Sequence, residues 1–435
     1  MLQSSVEAEA LAPSPSEWSF VSQAPAPPPV LAPHERCFLF VTAPFGPFSA
    51  RLAKSLRAYG ARCSRVILNG GDLAEWGVRD ALFYRGARAQ WRAWIREQLV
   101  RAGVTDLITH GDSHSYAAEA IAVAHALNIA VHVFEQGYFR PHWITLERDG
   151  VNAHSRLPRQ AEDYRRITVT QPLGQPVPVG RITPMAVRRI VGHQLASYAM
   201  APLFPRFRNP YAYGALRQGA GHLMRFVRQK VSQRADQRRL QSLLRSPYPI
   251  FLALLQRPGD SQLTRHSRFV ESRGFIEHVI FDFAANAAPR ARLLFKSHPL
   301  DHGIEPHGDF IRDAAAIAGV ADRVLFADEG HFPTLIGRAA GVVTVNSTGG
   351  LSAVEAGLPT IVLGNAIYDM DGLTHQLGLS TFWQAPQAPD TELFEKFRAV
   401  VMASSQINGA FSTEHGMRLS LAEAARRLMN AQPHQ

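Results

Sequence analysis

Residues 106–136 read DLITHGDSHSYAAEAIAVAHALNIAVHVFEQ. Asp106–His110 is a short apolar run, residues 113–127 carry apolar side chains at helical spacing, and residues 130–134 form a second apolar run. Short runs that are apolar on both faces, joined through one helix, belong to a parallel sheet covered by helices on both sides. The pattern continues outward. Residues 37–42 and 64–68 read as earlier strands, with helices over 49–59 and 88–101. It restarts at 250–255 and runs through 293–296, 323–326, 341–345 and 360–363, with helices over 269–287, 310–318 and 351–356.

Two α/β units therefore flank a different central segment. The expected architecture is α/β: two Rossmann-like domains with a cleft between them, joined by a basic helical segment. The expected boundaries are a disordered Pro/Ala-rich leader (1–34), an N-terminal α/β domain (35–182), a basic amphipathic helical segment (183–245), a C-terminal α/β domain (246–385) and C-terminal helices (386–435). A length of 435 residues agrees with more than one core. Ligands of such sheets sit beyond the carboxyl ends of the strands, so the cleft is the place to look for chemistry.

Charge is unevenly distributed. The chain carries a formal +10, yet residues 156–245 hold sixteen Arg and Lys230 against Glu162, Asp163 and Asp236, leaving the rest mildly acidic. Leu216, Ala220, Leu223, Val227 and Val231 recur at helical spacing among Arg217, Arg225, Arg228, Lys230 and Arg234. Such a helix is either a linker whose apolar stripe packs on a domain, or a membrane-surface element with arginines on anionic headgroups. No nucleic-acid-binding motif accompanies it, so nucleic acid is not an expected partner. Cys37 and Cys63 are too few for a disulfide framework or a Cys-based zinc site. No apolar run reaches the ~18 residues of a transmembrane span, and no signal peptide is recognisable. On the membrane-surface reading of that helix, the expected location is cytoplasmic and peripheral at a membrane.

Four polar clusters follow predicted strands. In His110-Gly111-Asp112-Ser113-His114, Asp112 opens a helix whose dipole favours a carboxylate; it reads as a nucleophile or base, or as a plain cap. Glu135-Gln136-Gly137-Tyr138, followed by Arg140, Glu147 and Asn152, ends the neighbouring run, so Glu135 either faces the same cleft or is paired at the sheet rim. In Lys296-Ser297-His298-Pro299, the imidazole can donate to a phosphate and Lys296 adds charge. Asn346-Ser347-Thr348-Gly349-Gly350 joins a strand to a helix, as an anion site or a simple N-cap. Gln256, Asp260 and Ser261 lie where they can line the same nucleotide pocket. Asp369-Met370-Asp371 is a D-x-D triplet, but with these phosphate donors no metal is required.

Taken in order, these clusters resemble the capsule polysaccharide biosynthesis family of Gram-negative bacteria, with its KpsS/LipB-like β-Kdo glycosyltransferases. The residues that carry the likeness are 110–114, 134–141, 145–147, 150–152, 260–262, 296–299, 346–350 and 368–373, with 42–48 and 69–72 upstream. The resemblance implies a GT-B-like fold and transfer of Kdo (3-deoxy-D-manno-octulosonic acid) from CMP-β-Kdo. The implied acceptor is a (lyso)phosphatidylglycerol-type lipid or a Kdo-lipid, with the β configuration retained. It implies Asp112, Glu135 and His298 as catalytic. His110, His114, Gly137, Arg140, Glu147, Asn152, Gln256, Asp260, Ser261, Lys296, Pro299, Ser347 and Thr348 then contact substrate, and no cofactor or metal is called for. Implied partners are the CMP-sugar donor, the anionic lipid surface and other capsule biosynthesis and export proteins. Gln136 stands where a second acidic residue is often found. The competing readings are a non-catalytic lipid- or polysaccharide-binding adaptor of the capsule machinery, and another CMP-sugar transferase such as a sialyltransferase.

Overall fold

In a computed structural model, residues 31–431 are described except 170–173, 182, 210–213, 258–268 and 270. The first sheet has seven strands in the order β12-β6-β5-β4-β1-β2-β3. They are β1 (Cys37–Phe40), β2 (Arg62–Ile67), β3 (Ala81–Phe83), β4 (Asp106–His110), β5 (Ala130–Gln136), β6 (Trp143–Arg148) and β12 (Gln406–Asn408). The strands from β3 to β5 are parallel, as the apolar runs predict. β6 and β12 are antiparallel additions. They escaped the sequence reading because a mixed strand such as Trp143–Arg148, at a sheet flank, carries no doubly buried run.

The second sheet is wholly parallel, in the order β11-β10-β7-β8-β9. Its strands are β7 (Ile250–Leu254), β8 (Arg292–Lys296), β9 (Val324–Ala327), β10 (Gly341–Thr344) and β11 (Thr360–Val362). The helix Thr391–Ser405 then leads back to β12, and the last helix, Glu414–Asn430, packs on Phe48–Ala58 of the first unit. The chain thus crosses between units twice, and the architecture is GT-B-like. Among the described residues, one apolar cluster joins the units. Tyr138, Phe139 and Tyr164 meet Leu351, Ile367, Tyr368 and Leu373, with Leu393 and Phe397 of the returning helix.

One buried ionic cluster anchors that return. Arg36 donates through Nε and Nη2 to both oxygens of Asp106, at 2.7 and 2.6 Å, and His132 Nε2 lies 2.8 Å from the same carboxylate. Arg36 also donates to the carbonyls of Leu428 and Met429 at 3.1 Å, holding the end of the last helix. Burial pushes the Asp106 carboxyl up, but His132 and Arg36 outweigh it and hold it down at about 2.

The central segment forms two helices, Pro184–Ala199 and Ala215–Leu244. The first lies against the short helix Gly70–Trp76, where Gly70 and Gly71 permit the approach: a side chain at Gly71 would meet the His193 ring at 2.5 Å. Asn69 caps that short helix and Asp72 takes the buried Arg65 at 2.7 Å, so the Asn69–Asp72 motif is spent on packing. Asp72, Glu75 and His193 come within metal-ligand distance of one another, but Arg65 and the Gly46 amide already engage the two carboxylates.

The long helix is inverted. Gln218, Arg225 and Gln229 face inward and, with the more exposed Arg228, form hydrogen bonds with the second unit. Leu223, Met224, Val227 and Val231 face outward at 65, 66, 48 and 84% exposure. The linker reading, in which this stripe packs on a domain, is therefore overturned. Packing onto a loop rich in carbonyls and imidazoles selected the polar face of the helix instead. Arg225 is correspondingly a buried structural cation, not a headgroup ligand.

Candidate active site

Parallel strands deliver polar loops at their carboxyl ends, and the clusters read from the sequence arrive there. β4 ends on His110, and Gly111 turns the chain at φ +70°. The cap of the following helix is neither Asp112 nor Ser113 but His114, whose Nδ1 accepts from the Tyr116 amide at 3.3 Å. Asp112 is left for the interior, where it is 5% exposed. Its Oδ1 accepts from Ser113 Oγ at 2.7 Å; its Oδ2 accepts from the Val151 amide and faces His154 Nδ1, each at 3.0 Å. That carboxylate is fixed in orientation by these three partners.

The loop after β6 supplies these contacts. Asp149 and Asn152 are both left-handed, at φ +67° and +55°, a cost that the surrounding bonds must outweigh. Tyr138 Oη accepts from the Asn152 amide at 2.8 Å, and Ser155 Oγ donates to Glu147. Arg159 donates to Asn152 O at 2.6 Å and to Ala366 O at 2.9 Å, tying this loop to the second unit. Burial pushes the Glu147 carboxyl above its usual range and the Tyr138 phenol well above its own. Glu135 stands beside Gly111: a side chain there would lie 3.5 Å from Glu135 Oε2. Gly137 closes the β5–β6 hairpin against Trp143.

Across the cleft, His298 Nδ1 accepts from the Leu300 amide at 3.0 Å. The proton of the neutral ring is thereby placed on Nε2, making it a donor. Burial, then Arg140 of the first unit and Arg257, pull the imidazole down to about 4. His302, which receives Arg257 Nε at 2.9 Å, is lowered to about 4 by burial, Arg257 and His222. Burial, with cations close by, thus keeps both imidazoles neutral.

The loop behind His298 is held from the rear. Arg225 donates to Pro299 O at 3.2 Å and to Asp301 O at 2.5 Å, and pairs with Asp328 at 2.8 Å. Gly303 allows this, since a side chain there would lie 2.7 Å from Arg225 Cβ. Lys296 Nζ donates to Ser297 O and Asp328 O, so the lysine stiffens the loop from below; burial lowers its ammonium. Ser347 caps the helix Thr348–Glu355 by accepting from the Gly349 amide at 3.1 Å, and Gln256 donates to Asn346 alongside. Asp369 of the D-x-D triplet accepts from Thr374 and Gln376 within its own loop. Asp260 and Ser261 fall outside the described residues.

Under the same loop lies a charged histidine. His307 sits 3.1 Å from both Asp301 and Glu305; burial opposes its charge, but these two bonds raise it to about 9. Its contribution is fully present below the unfolded-state value of about 6.5 and is lost as pH rises through the folded value. A His307→Gln variant, followed by thermal unfolding across that window, is expected to lack the alkaline decline of the parent. An unchanged slope would place the titration elsewhere.

Residues 105–412 match the family described as "Capsule polysaccharide biosynthesis protein". The chain belongs to the capsule polysaccharide biosynthesis family. Relatives in this family include the capsule polysaccharide export protein KpsS of Escherichia coli, 34% identical over 86% of this chain and 96% of that protein. The capsule polysaccharide modification protein LipB of Neisseria meningitidis serogroup A is 30% identical over 86% of this chain and 91% of its own length. Among solved structures, a β-Kdo 2,7 transferase, KpsC of Thermosulfurimonas dismutans, is similar at 13% identity with a TM-score of 0.42, over 91% of this chain and 99% of that one. This capsule-family member thus has a role in capsule polysaccharide biosynthesis. Among its described residues, no helix is long and apolar enough to cross a membrane.

Several residues of this candidate site were not singled out from the sequence. His154 lies just past the Gly150-Val151-Asn152 motif, a signal that pointed two residues short of it. Arg159, His302 and His307 carry no local pattern; only the fold brings them to the cleft.

Proposed function

We propose that the protein transfers Kdo from CMP-β-Kdo to a phosphatidylglycerol-type lipid or a Kdo-lipid, with retention, at the inner membrane surface. The observations that carry this reading are the anchored Asp112, Glu135 beside the adjoining Gly111, and a neutral His298 on which Arg140 of the first unit and Arg257 act. The His298 Nε2–H donates to the cytidylate phosphate, where charge grows as the bond to the sugar breaks. Arg140 and Arg257 match the carboxylate and phosphate of the donor. Asp112 attacks the anomeric carbon as CMP leaves with the bonding electron pair. The acceptor hydroxyl then displaces Asp112 from the same carbon, giving its proton to Glu135. Two displacements restore the β configuration.

The lipid surface is the partner that suits the outward stripe. Leu223, Val227 and Val231, with Val187, Val191 and Leu195 of the preceding helix, are exposed beside Arg188, Lys230 and Arg234. Apolar side chains flanked by cations fit an anionic bilayer. Flotation with phosphatidylglycerol vesicles is expected to recover the protein. A Val227→Glu/Val231→Glu variant is expected to lose about tenfold or more of that binding while melting normally. Equal recovery of the variant, or equal binding to neutral phosphatidylcholine vesicles, would sink the membrane assignment.

The activity itself is tested by CMP release. Release is expected with CMP-Kdo and to depend on the lipid acceptor. Lipid binding without CMP release would indicate an adaptor, and preference for CMP-sialic acid a sialyltransferase.

A further inference from the structure

We propose that a cavity of about 170 Å³ at the carboxyl ends of β1, β4 and β5 is the acceptor subsite, holding the phosphoglycerol head of an anionic lipid. The proposal rests on the transferase reading above and says where its acceptor binds. Phe45, His110, Gln136, Arg189, Ile190 and Phe411 are among the lining residues. None of the Asp112, Glu135 or His298 side chains lines it, yet it adjoins the carboxylate assigned to take the acceptor proton: Glu135 acts electrostatically on His110.

Three features fit this ligand. The first is His110, whose ring packs edge-on to Phe411 at 5.3 Å and whose Nε2 is buried with no hydrogen-bond partner among the described residues. Burial holds the imidazole neutral. An unpaired buried ring nitrogen is costly, and a ligand hydroxyl or phosphate oxygen removes that cost. The second is charge. Arg189 lines the cavity, no carboxylate is among its described lining residues, and Arg189 pairs with the half-exposed Glu414 at 3.1 Å beyond the lining, so its guanidinium is placed for a phosphodiester. The third is position. The helix Pro184–Ala199 turns Ala186 and Ile190 toward the cavity and leaves Val187, Val191 and Leu195 exposed outside. A lipid lying along that outer face reaches the cavity across the width of one helix, about 10 Å.

The test uses Ile190→Trp, which narrows the mouth at a partly exposed position, and Arg189→Glu, which reverses the rim charge. Both are expected to melt near the parent temperature. Each is expected to raise KM for a phosphatidylglycerol acceptor by about tenfold or more, leaving KM for CMP-Kdo unchanged. Unchanged acceptor KM, or an equal rise in both constants, overturns the subsite. A parent enzyme that transfers no Kdo overturns the transferase reading instead. Calorimetric binding of dihexanoyl phosphatidylglycerol without donor still reads the subsite in that case. There, weakened binding in both variants supports it; parent-like binding, or equal binding of dihexanoyl phosphatidylcholine by the parent, contradicts it.

Discussion

Replacing Asp112 with asparagine is expected to slow CMP-Kdo-dependent transfer by on the order of 10³-fold or more, with CMP-Kdo binding retained. The amide keeps the size of the carboxylate and one oxygen for the Val151 amide, and Ser113 can rotate its hydroxyl to accept. What it lacks is the charge and lone pair that attack the anomeric carbon. Glu135→Gln separates the two half-reactions. With Glu135 replaced, the first displacement still occurs, so about one CMP per enzyme is released before turnover stalls. With Asp112 replaced, no such burst is expected. Rapid-quench measurement of CMP decides between them. A burst in Asp112→Asn, or parent-like turnover, would remove Asp112 from the proposed role.

The second large effect is on stability. Asp106→Ala is expected to cost about 3–5 kcal/mol, because it strands Arg36 as a fully buried, unpaired charge. His132 loses its partner at the same time, and the last helix loses a well-oriented anchor at Leu428 and Met429. Arg51→Ala removes a half-exposed pair with Glu414 and is expected to cost no more than about 1 kcal/mol. Urea unfolding is followed by tryptophan fluorescence, with Trp91 fully buried in the first unit and Trp383 buried in the second. A shift for Asp106→Ala no larger than for Arg51→Ala would mean the cluster does not hold the returning helix.

The strands most legible in the sequence were those buried on both faces. Asp106–His110 was placed without error, and Ile250–Leu254 and Gly341–Thr344 within one residue, because runs apolar on both faces leave little freedom. β3, β6 and β12 were invisible for the opposite reason: they are short or mixed, and β12 also pairs with a strand far upstream, Gln406 lying opposite Thr145. Asn408 meets Trp143 only because the helix Thr391–Ser405 carries the chain back.

The site divides similarly. His298 and Asp112 were legible because a polar cluster directly after a buried strand must emerge at the cleft. Their supports were not, since Arg225 reaches the Pro299 loop from a helix 74 residues upstream, and His154 meets Asp112 across 42 residues. The amphipathic helix was read correctly as a pattern, but which face would point inward was undecidable from periodicity alone. A loop of carbonyls and histidines chose the polar one.

The most direct test is incubation of the full chain with CMP-Kdo and a fluorescent phosphatidylglycerol analogue, the lipid products being read by mass spectrometry. The account predicts a lipid heavier by one Kdo residue or more, β-linked, formed in step with CMP release. Unmodified lipid with no CMP released, under conditions where the protein binds both substrates, would contradict it.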